Sequence, residues 1–168
     1  RFGRPVRVTA VCSHSGAGRA GLINVEREAA LTGKSFNKAD AIMAAYVRRC
    51  YAQHRPVQFT VSVAFEQSYG RIDGDSASVT ELLAVLSSLA GVPLRQDLAI
   101  TGSLNQAGEV QPIGGVNEKA EGWFRVCAAR GLTGTQGVVI PHSNADDLML
   151  PDDMVEAIAA ERFHVYAV

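Results

Sequence analysis

The sequence predicts a single domain of the mixed α/β class. Two hydrophobic periods alternate along the chain: segments in which every second residue is apolar, and segments in which apolar residues lie three and four apart. Glycine and proline separate these segments, and no repeat, low-complexity stretch or linker divides the 168 residues. A chain of this length buries about 70% of its unfolded surface, which is enough for one ordinary core.

The first third of the chain alternates between strand and helix patterns. Strands are predicted at 6–12 and 22–28, joined as a β-hairpin by the glycine-rich turn 15–18. Residues 37–50 carry apolar side chains at helical spacing and predict an amphipathic helix. Residues 58–66 alternate between apolar and polar or small side chains, which predicts a strand with one buried face.

The rest of the chain continues the same mixture. A helix is predicted at 76–90, because leucine and valine recur at helical spacing and Gly91 and Pro93 end it. Pro151 begins the last helix, where the carboxylates that follow complement the positive end of the helix dipole. The later predicted elements are strand 98–100, strand 109–111, helix 116–130, strand 138–140, helix 151–160 and strand 163–166.

Composition excludes several classes of protein. The net charge of −1, without a basic block, argues against a nucleic-acid binder. There is no apolar run of 18 residues and no signal peptide, so we expect no membrane span and a cytoplasmic protein.

Cys12, Cys50 and Cys127 are widely spaced and form no CxxC pair, so we expect buried reduced thiols. The four histidines lack the spacing of a zinc site. The abrupt strand-like start suggests a domain of a longer chain.

Two glycine-containing hexapeptides, 73–78 and 114–119, are the candidates for chemistry. Ser76 follows a glycine turn at the start of a predicted helix, and Lys119 follows a Gly-Gly turn at the start of another. A serine hydroxyl is a weak nucleophile until a neighbouring base takes its proton. Lysine can be that base only if its pKa falls from about 10.4 toward 7–8. Considered alone, residues 73–76 are better explained as a turn with a helix cap.

Taken together, the two hexapeptides resemble the Ser-Lys dyad of Lon-type peptidases, and the form Gly-Asp-Ser-Ala-Ser resembles the bacterial Lon B-like branch. The similarity covers nearly the whole chain, through Phe2-Gly3-Arg4-Pro5 and the segments 64–70, 99–103, 132–137 and 163–166. The resemblance implies one Lon-type proteolytic domain over 1–168, with an α+β fold (two-layer mixed α/β).

The resemblance also implies roles for particular residues. Ser76 is expected to attack the scissile carbonyl, and Lys119 to take the serine proton and pass it to the leaving amine. Thr101 matches the threonine that orients the lysine ammonium. Gly74 lets the turn approach the substrate. The backbone N–H groups around Ser76 and Ala77 are candidates for an oxyanion hole.

The acidic residues beside the serine are harder to assign. Two carboxylates near Lys119 would hold it protonated, so we expect that either Asp73 or Asp75 caps the helix, or that Asp73 closes an inactive site. Peptide substrates usually lie along an exposed strand. The strand 58–66 is the candidate, with Phe65 and Glu66 bordering the cleft, although core packing explains Phe65 equally well.

The family context adds expectations about the complete protein. An AAA+ ATPase module is expected to precede this domain, with ATP and Mg²⁺ bound there and no cofactor or metal bound here. The expected substrates are unfolded or damaged proteins, and the expected assembly is a homo-oligomer, a hexameric ring. The alternative is a catalytically silent domain of the same fold that serves in assembly or substrate binding.

Three other motifs are weaker. Residues 16–21 match G-x-G-x-x-G, but a strand pattern follows where a dinucleotide site needs a helix N-terminus. Ser35 begins an S-x-x-K motif, but no K-T-G accompanies it, so a helix cap explains this serine better. His142 precedes Ser143, but the G-x-S-x-G elbow of a Ser-His hydrolase is missing.

Overall fold

A computed structural model describes residues 2–14, 21–53 and 59–168. The elements, in chain order, are β1 (Val8–His14), β2 (Gly21–Asn24), α1 (Val25–Glu28), α2 (Lys34–Tyr51), β3 (Phe59–Phe65), α3 (Ser78–Ala90), β4 (Leu98–Ile100), β5 (Ser103–Leu104), β6 (Val110–Gln111), α4 (Val116–Arg130), β7 (Gly137–Ile140), a 3-10 segment (His142–Asp147), α5 (Asp152–Ala159) and β8 (His164–Ala167). This mixture confirms the predicted α+β class. It adds three elements that the sequence did not predict: α1, β5 and the 3-10 segment.

The first sheet has the strand order β1-β3-β2, with β3 antiparallel to β1 and parallel to β2. The predicted hairpin between the first two strands is therefore wrong, because β3 lies between them. A parallel pair needs a crossover connection, which α1 and α2 supply between β2 and β3. The predicted turn at 15–18 lies outside the described residues. The strand predicted at 22–28 stops at Asn24, whose side chain accepts a hydrogen bond from the Arg27 N–H and caps α1.

The second sheet is parallel, with the order β4-β7-β8, and β5 and β6 form a separate antiparallel ribbon. Buried side chains form three clusters, two of which both contact Leu22 and together make up an amino-terminal core, while the third is a carboxy-terminal core. The amino-terminal core packs α2 and α3 against the first sheet and includes Met43, Val61, Val63, Leu82 and Val85. The carboxy-terminal core packs α4 and α5 against β7 and includes Ala120, Phe124, Ile140, Met154 and Phe163. Strand β4 contributes to both: Ala99 packs on the carboxy-terminal core and Ile100 on the amino-terminal core.

Helix α2 is capped by a side chain distant in sequence. The predicted cap, Ser35, is inside the first turn, so that prediction is wrong. Instead, Asp73 Oδ1 accepts hydrogen bonds from the backbone N–H groups of Ser35 (3.0 Å) and Phe36 (3.1 Å). A Cβ on Gly33 would lie 2.1 Å from the Asp73 carboxyl carbon, so glycine is required here for space.

The cysteines only partly match expectation. Cys127 is buried, but Cys12 is half-buried and Cys50 is exposed, and all three are free thiols. Residue 50 faces outward because it is near the end of the amphipathic α2. In the part of the chain that the structure describes, no helix combines the length and apolar composition needed to cross a membrane.

Three carboxylates are buried together beneath the first sheet. Glu26 of α1, Asp40 of α2 and Glu81 of α3 are each less than 5% exposed. They surround Asn24, which is fully buried and donates a hydrogen bond from Nδ2 to Glu81 Oε2 at 3.2 Å. The guanidinium of Arg27 pairs with Asp40.

Two oxygen atoms of this carboxylate cluster, Glu26 Oε2 and Asp40 Oδ1, are buried and have no hydrogen-bond partner among the described residues. The other oxygen of Glu26, Oε1, accepts the Phe65 N–H at 2.8 Å. Burial, together with the negative charges of Asp40 and Glu26, raises the pKa of Glu81 to about 8, although the hydrogen bond from Asn24 opposes this shift. The folded protein therefore keeps Glu81 protonated at neutral pH.

This raised pKa makes stability depend on pH. The unfolded chain releases the Glu81 proton near the ordinary pKa of 4.5, whereas the folded chain holds it up to about 8. Between these values the folded state binds more protons, so the stability contributed by protonated Glu81 is fully present below the lower value and is lost as pH rises through the higher one.

Glu81→Gln should flatten this pH dependence. Glutamine keeps an oxygen for Asn24 but cannot ionise, so a slope of at most about 1.4 kcal/mol per pH unit disappears between pH 5 and 8. Urea unfolding at several pH values measures it. Glu28→Gln, which changes an exposed carboxylate on α1, is the control and should keep the wild-type slope. Equal slopes for Glu81→Gln and wild type would contradict the assignment.

Candidate active site

Ser76 lies in a turn that immediately precedes α3, which begins two residues later than predicted. Gly74 has a φ of +102°, and a Cβ built there would meet nothing within 4 Å, so this glycine is required for its backbone conformation. The Ser76 carbonyl accepts hydrogen bonds from the Gly102 N–H (2.9 Å) and the Thr101 hydroxyl (3.1 Å). The chain between β4 and β5 thus holds the serine turn in place.

Lys119 lies in the first turn of α4, which begins after Gly115 in the left-handed conformation (φ +71°). Its ammonium Nζ donates to Thr101 Oγ1 at 3.4 Å. Thr101 therefore connects the lysine amine to the backbone of Ser76 through one hydroxyl. The structure brings together the three residues that the sequence pattern singled out from segments far apart in the chain.

The surroundings of Lys119 favour its neutral form. Burial lowers the pKa of Lys119 below its ordinary value, and the negative charges of Asp75 and Glu118 oppose this shift. The lysine also lines a cleft of about 380 Å³ together with Phe2, Gly3, Gly115 and Glu118. A half-buried amine beside an open cleft has the properties that a general base requires.

The other serines near the turn have structural roles. Ser78 is buried: its hydroxyl donates to the Asp75 carbonyl (2.9 Å) and accepts from the Leu104 N–H (3.0 Å). Ser103 is also buried, and its hydroxyl donates to Asp75 Oδ2 at 2.8 Å. The Ser76 hydroxyl, by contrast, has no hydrogen-bond partner among the described residues. Of these three hydroxyls it is the one that no described protein group engages.

The backbone of the turn also has unused donors. Within the described ranges, the N–H groups of Ser76 and Ala77 donate to no protein acceptor, whereas the N–H of Ser78 donates to the Asp75 carbonyl at 3.1 Å. Ala77 is the residue at the N-cap of α3. Two free N–H groups beside a hydroxyl at a helix N-terminus can bind an oxyanion.

Asp73 and Asp75 have different positions. Asp73 turns toward α2, and the N–H groups of its neighbour Gly74 and of Phe36 on α2 lower the pKa of its carboxyl. It is Asp75 whose charge acts on Lys119, and Ser103 holds its carboxylate. The expectation that one of these carboxylates caps the helix after Ser76 is wrong, because Asp73 caps α2 instead and α3 has no side-chain cap at Ala77. The acidic neighbours of the lysine are Asp75 and Glu118.

The predicted peptide-binding strand has no free edge. Strand β3 pairs with β1 on one side and with β2 on the other, and beyond β2 the Phe65 N–H is used by Glu26. Phe65 is 9% exposed and packs edge-on against Phe36, with ring centroids 5.7 Å apart. Glu66 is exposed and accepts a hydrogen bond from the Thr9 hydroxyl at 2.6 Å. The prediction of β3 as an exposed strand is wrong, because a one-sided burial pattern does not distinguish a central strand from an edge strand.

The chain is similar to known Lon proteases. The family of the Lon protease (S16) C-terminal proteolytic domain matches residues 17–166. A Lon protease homolog of Escherichia coli (strain K12) is 44% identical over 167 residues, covering 99% of this chain and 28% of that protein. A homolog from Haemophilus influenzae (strain Rd) is 42% identical over 99% of this chain and 27% of its own length. An archaeal Lon protease of Thermococcus kodakarensis is 41% identical over 60% of this chain and 15% of its own.

The chain belongs to the Lon protease C-terminal proteolytic domain family, and it is therefore a peptidase domain. It spans little more than a quarter of the length of the two bacterial relatives.

Proposed function

We propose that this domain is a serine endopeptidase that uses Ser76 as nucleophile and Lys119 as general base. The observation that carries the proposal is the Thr101 hydroxyl, which accepts from the Lys119 amine and donates to the Ser76 carbonyl. A base must lie close to the proton that it removes, and this bridge keeps the amine beside the serine turn. The free Ser76 hydroxyl and the lowered pKa of Lys119 support the same assignment.

The proposed reaction has two stages. The Ser76 oxygen attacks the carbonyl carbon of the scissile peptide bond while neutral Lys119 takes the hydroxyl proton. The N–H groups of Ser76 and Ala77 stabilise the oxyanion. The C–N bond then breaks, Lys119 gives its proton to the leaving amine, and the acyl half stays as an ester on Ser76. A water molecule then attacks the ester carbon while Lys119 takes its proton. The bond between that carbon and the Ser76 oxygen breaks, Lys119 returns the proton to the serine oxygen, and the acid product leaves.

A fluorophosphonate probe tests the nucleophile, since it forms a stable bond only with an activated serine. We expect one label per chain on Ser76 in the wild type. Ser143→Ala is the control, because this exposed serine lies in the 3-10 segment beside His142, and it should leave labelling unchanged. A folded wild-type domain that takes no label and cleaves no peptide would favour the alternative, a silent domain for assembly or substrate binding.

The rate of cleavage should rise with pH as Lys119 loses its proton, because only the neutral amine accepts one. In Asp75→Asn a negative charge that raises the pKa of Lys119 is removed, so the rising limb should move to lower pH. A pH profile of kcat/KM measures this shift. Asp73→Asn is the matched control, since that carboxylate caps α2 instead. If the rising limbs of the pH profiles of wild type and Asp75→Asn coincide, or if activity falls above pH 6, the assignment of Lys119 as the base is contradicted.

We further propose that the complete protein joins this domain to an ATPase module that binds ATP and Mg²⁺, and that it degrades unfolded or damaged proteins as a homo-oligomeric ring, a hexamer. The greater length of the bacterial relatives supports this context. Casein degradation by the full-length protein, with and without ATP, tests the first part. Mass measurement in solution tests the second.

A further inference from the structure

The segment that precedes β1 crosses α4 at two glycines. A Cβ on Gly3 would lie 2.1 Å from the Glu118 carbonyl oxygen and 2.7 Å from the Lys119 Cα. A Cβ on Gly122 would lie 2.2 Å from the Gly3 carbonyl oxygen. Neither residue has a positive φ, so both are required for space and not for backbone conformation. The two backbones touch at the turn of the helix that presents Lys119.

Glycine inside a helix carries a cost in stability relative to alanine, so Gly122 in the interior of α4 needs a reason. Contact with Gly3 supplies it. The contact also forms the cleft beside the lysine, since Phe2 and Gly3 line it together with Lys119. The segment therefore lies against the backbone that carries Lys119 and forms one wall of the cleft that the lysine lines.

We propose that residues 2–5 act as a positioning strap for Lys119, and that Gly3 and Gly122 are the positioning residues that let this strap lie against α4. The proposal rests on Lys119 being the base of the proposed function. The strap keeps the amine partly covered and directed toward Thr101. No hydrogen bond joins residues 2–5 to Ser76 among the described residues, and the effect of the strap passes through the lysine.

We expect a larger side chain at Gly3 or Gly122 to displace the strap and not the helix α4. Val116, Ala120 and Phe124 anchor α4 in the carboxy-terminal core, each at most 4% exposed. The strap has an exposed Phe2 and no strand pairing before Val8. A methyl group at Gly3 or Gly122 will therefore lift the strap and expose Lys119. The charges that face the amine, Asp75 and Glu118, stay in place, so the change in its environment is one of solvation.

Nuclear magnetic resonance tests this without any substrate. The chain has three lysines, Lys34, Lys38 and Lys119, so ¹³C-labelled lysine gives few side-chain signals, and Lys119→Arg assigns the relevant one. We expect Gly3→Ala and Gly122→Ala each to move the titration midpoint of Lys119 to higher pH. Gly70→Ala is the matched control, because a Cβ there meets nothing within 4 Å, and it should leave the midpoint unchanged.

Testing both variants distinguishes an effect on the strap from a folding defect. Alanine at position 122 favours the helix intrinsically, so a shifted midpoint with unchanged circular dichroism reports the strap alone. The rising limb of the cleavage profile should move to higher pH in parallel, with the limiting rate at high pH retained. Unchanged Lys119 titration in both folded variants would overturn the strap proposal. If the Lys119 midpoint shifts in these variants but the folded wild-type domain cleaves no peptide, the strap proposal stands and the proposed function is rejected.

Discussion

Ser76→Ala should lower the rate of peptide cleavage by roughly a thousandfold or more, because the substitution removes the attacking oxygen itself. The fold should be retained. The Ser76 side chain is half-buried and its hydroxyl has no protein partner within the described ranges, so alanine leaves neither a large cavity nor an orphaned donor. Casein or peptide cleavage measures the rate, and circular dichroism the fold.

The neighbouring serines make this experiment discriminating. Ser78→Ala and Ser103→Ala should lower stability as well as activity, because their hydroxyls hold the Leu104 N–H and the Asp75 carboxylate. Cleavage by Ser76→Ala above a few per cent of the wild-type rate would place the nucleophile elsewhere.

Lys119→Arg should be as inactive as Lys119→Ala, with a comparable loss of a thousandfold or more. Arginine keeps the positive charge but does not deprotonate in a protein, so it cannot take the serine proton. Lys38→Arg is the control, since that exposed lysine on α2 is outside the site. The rates of all three variants are compared at one alkaline pH.

Substantial activity in Lys119→Arg would mean that the residue acts as a fixed positive charge and not as a base. In that case the pH profile of the arginine variant would also lack the rising limb assigned to Lys119, and the proposed mechanism would have to be replaced.

The sequence predicted the longer elements because their signals are local. The apolar spacing in α2, α3 and α4 and the alternation in β3 are properties of single segments, and the structure confirms each of them. Strand order is not local. The pattern of β3 shows that one face is buried, but which strands flank it depends on the crossover through α2. The hairpin and the exposed peptide-binding strand were predicted wrongly for this one reason.

The site residues also fall into those that a local sequence signal predicts and those that only the fold identifies. The positions of Ser76 and Lys119 at the starts of helices follow from glycine turns visible in the sequence. The roles of Asp73 and Asp75 do not, since two carboxylates two residues apart point to different helices. Gly33 was a signal for the position of Asp73, because its missing side chain makes room for the Asp73 carboxylate. Gly33 lies 40 residues from Asp73 in the chain, so the relation between them is visible only in the folded structure.

The two catalytic candidates belong to different cores. Ser76 precedes α3 of the amino-terminal core, whereas Lys119 is on α4 of the carboxy-terminal core, and Thr101 follows the strand that both cores share. A relative slip of about an ångström would misalign the two groups and leave both cores intact. Mild heating should therefore inactivate the enzyme before helical content is lost, and cooling should restore it, because the first event is a loss of alignment and not of folding.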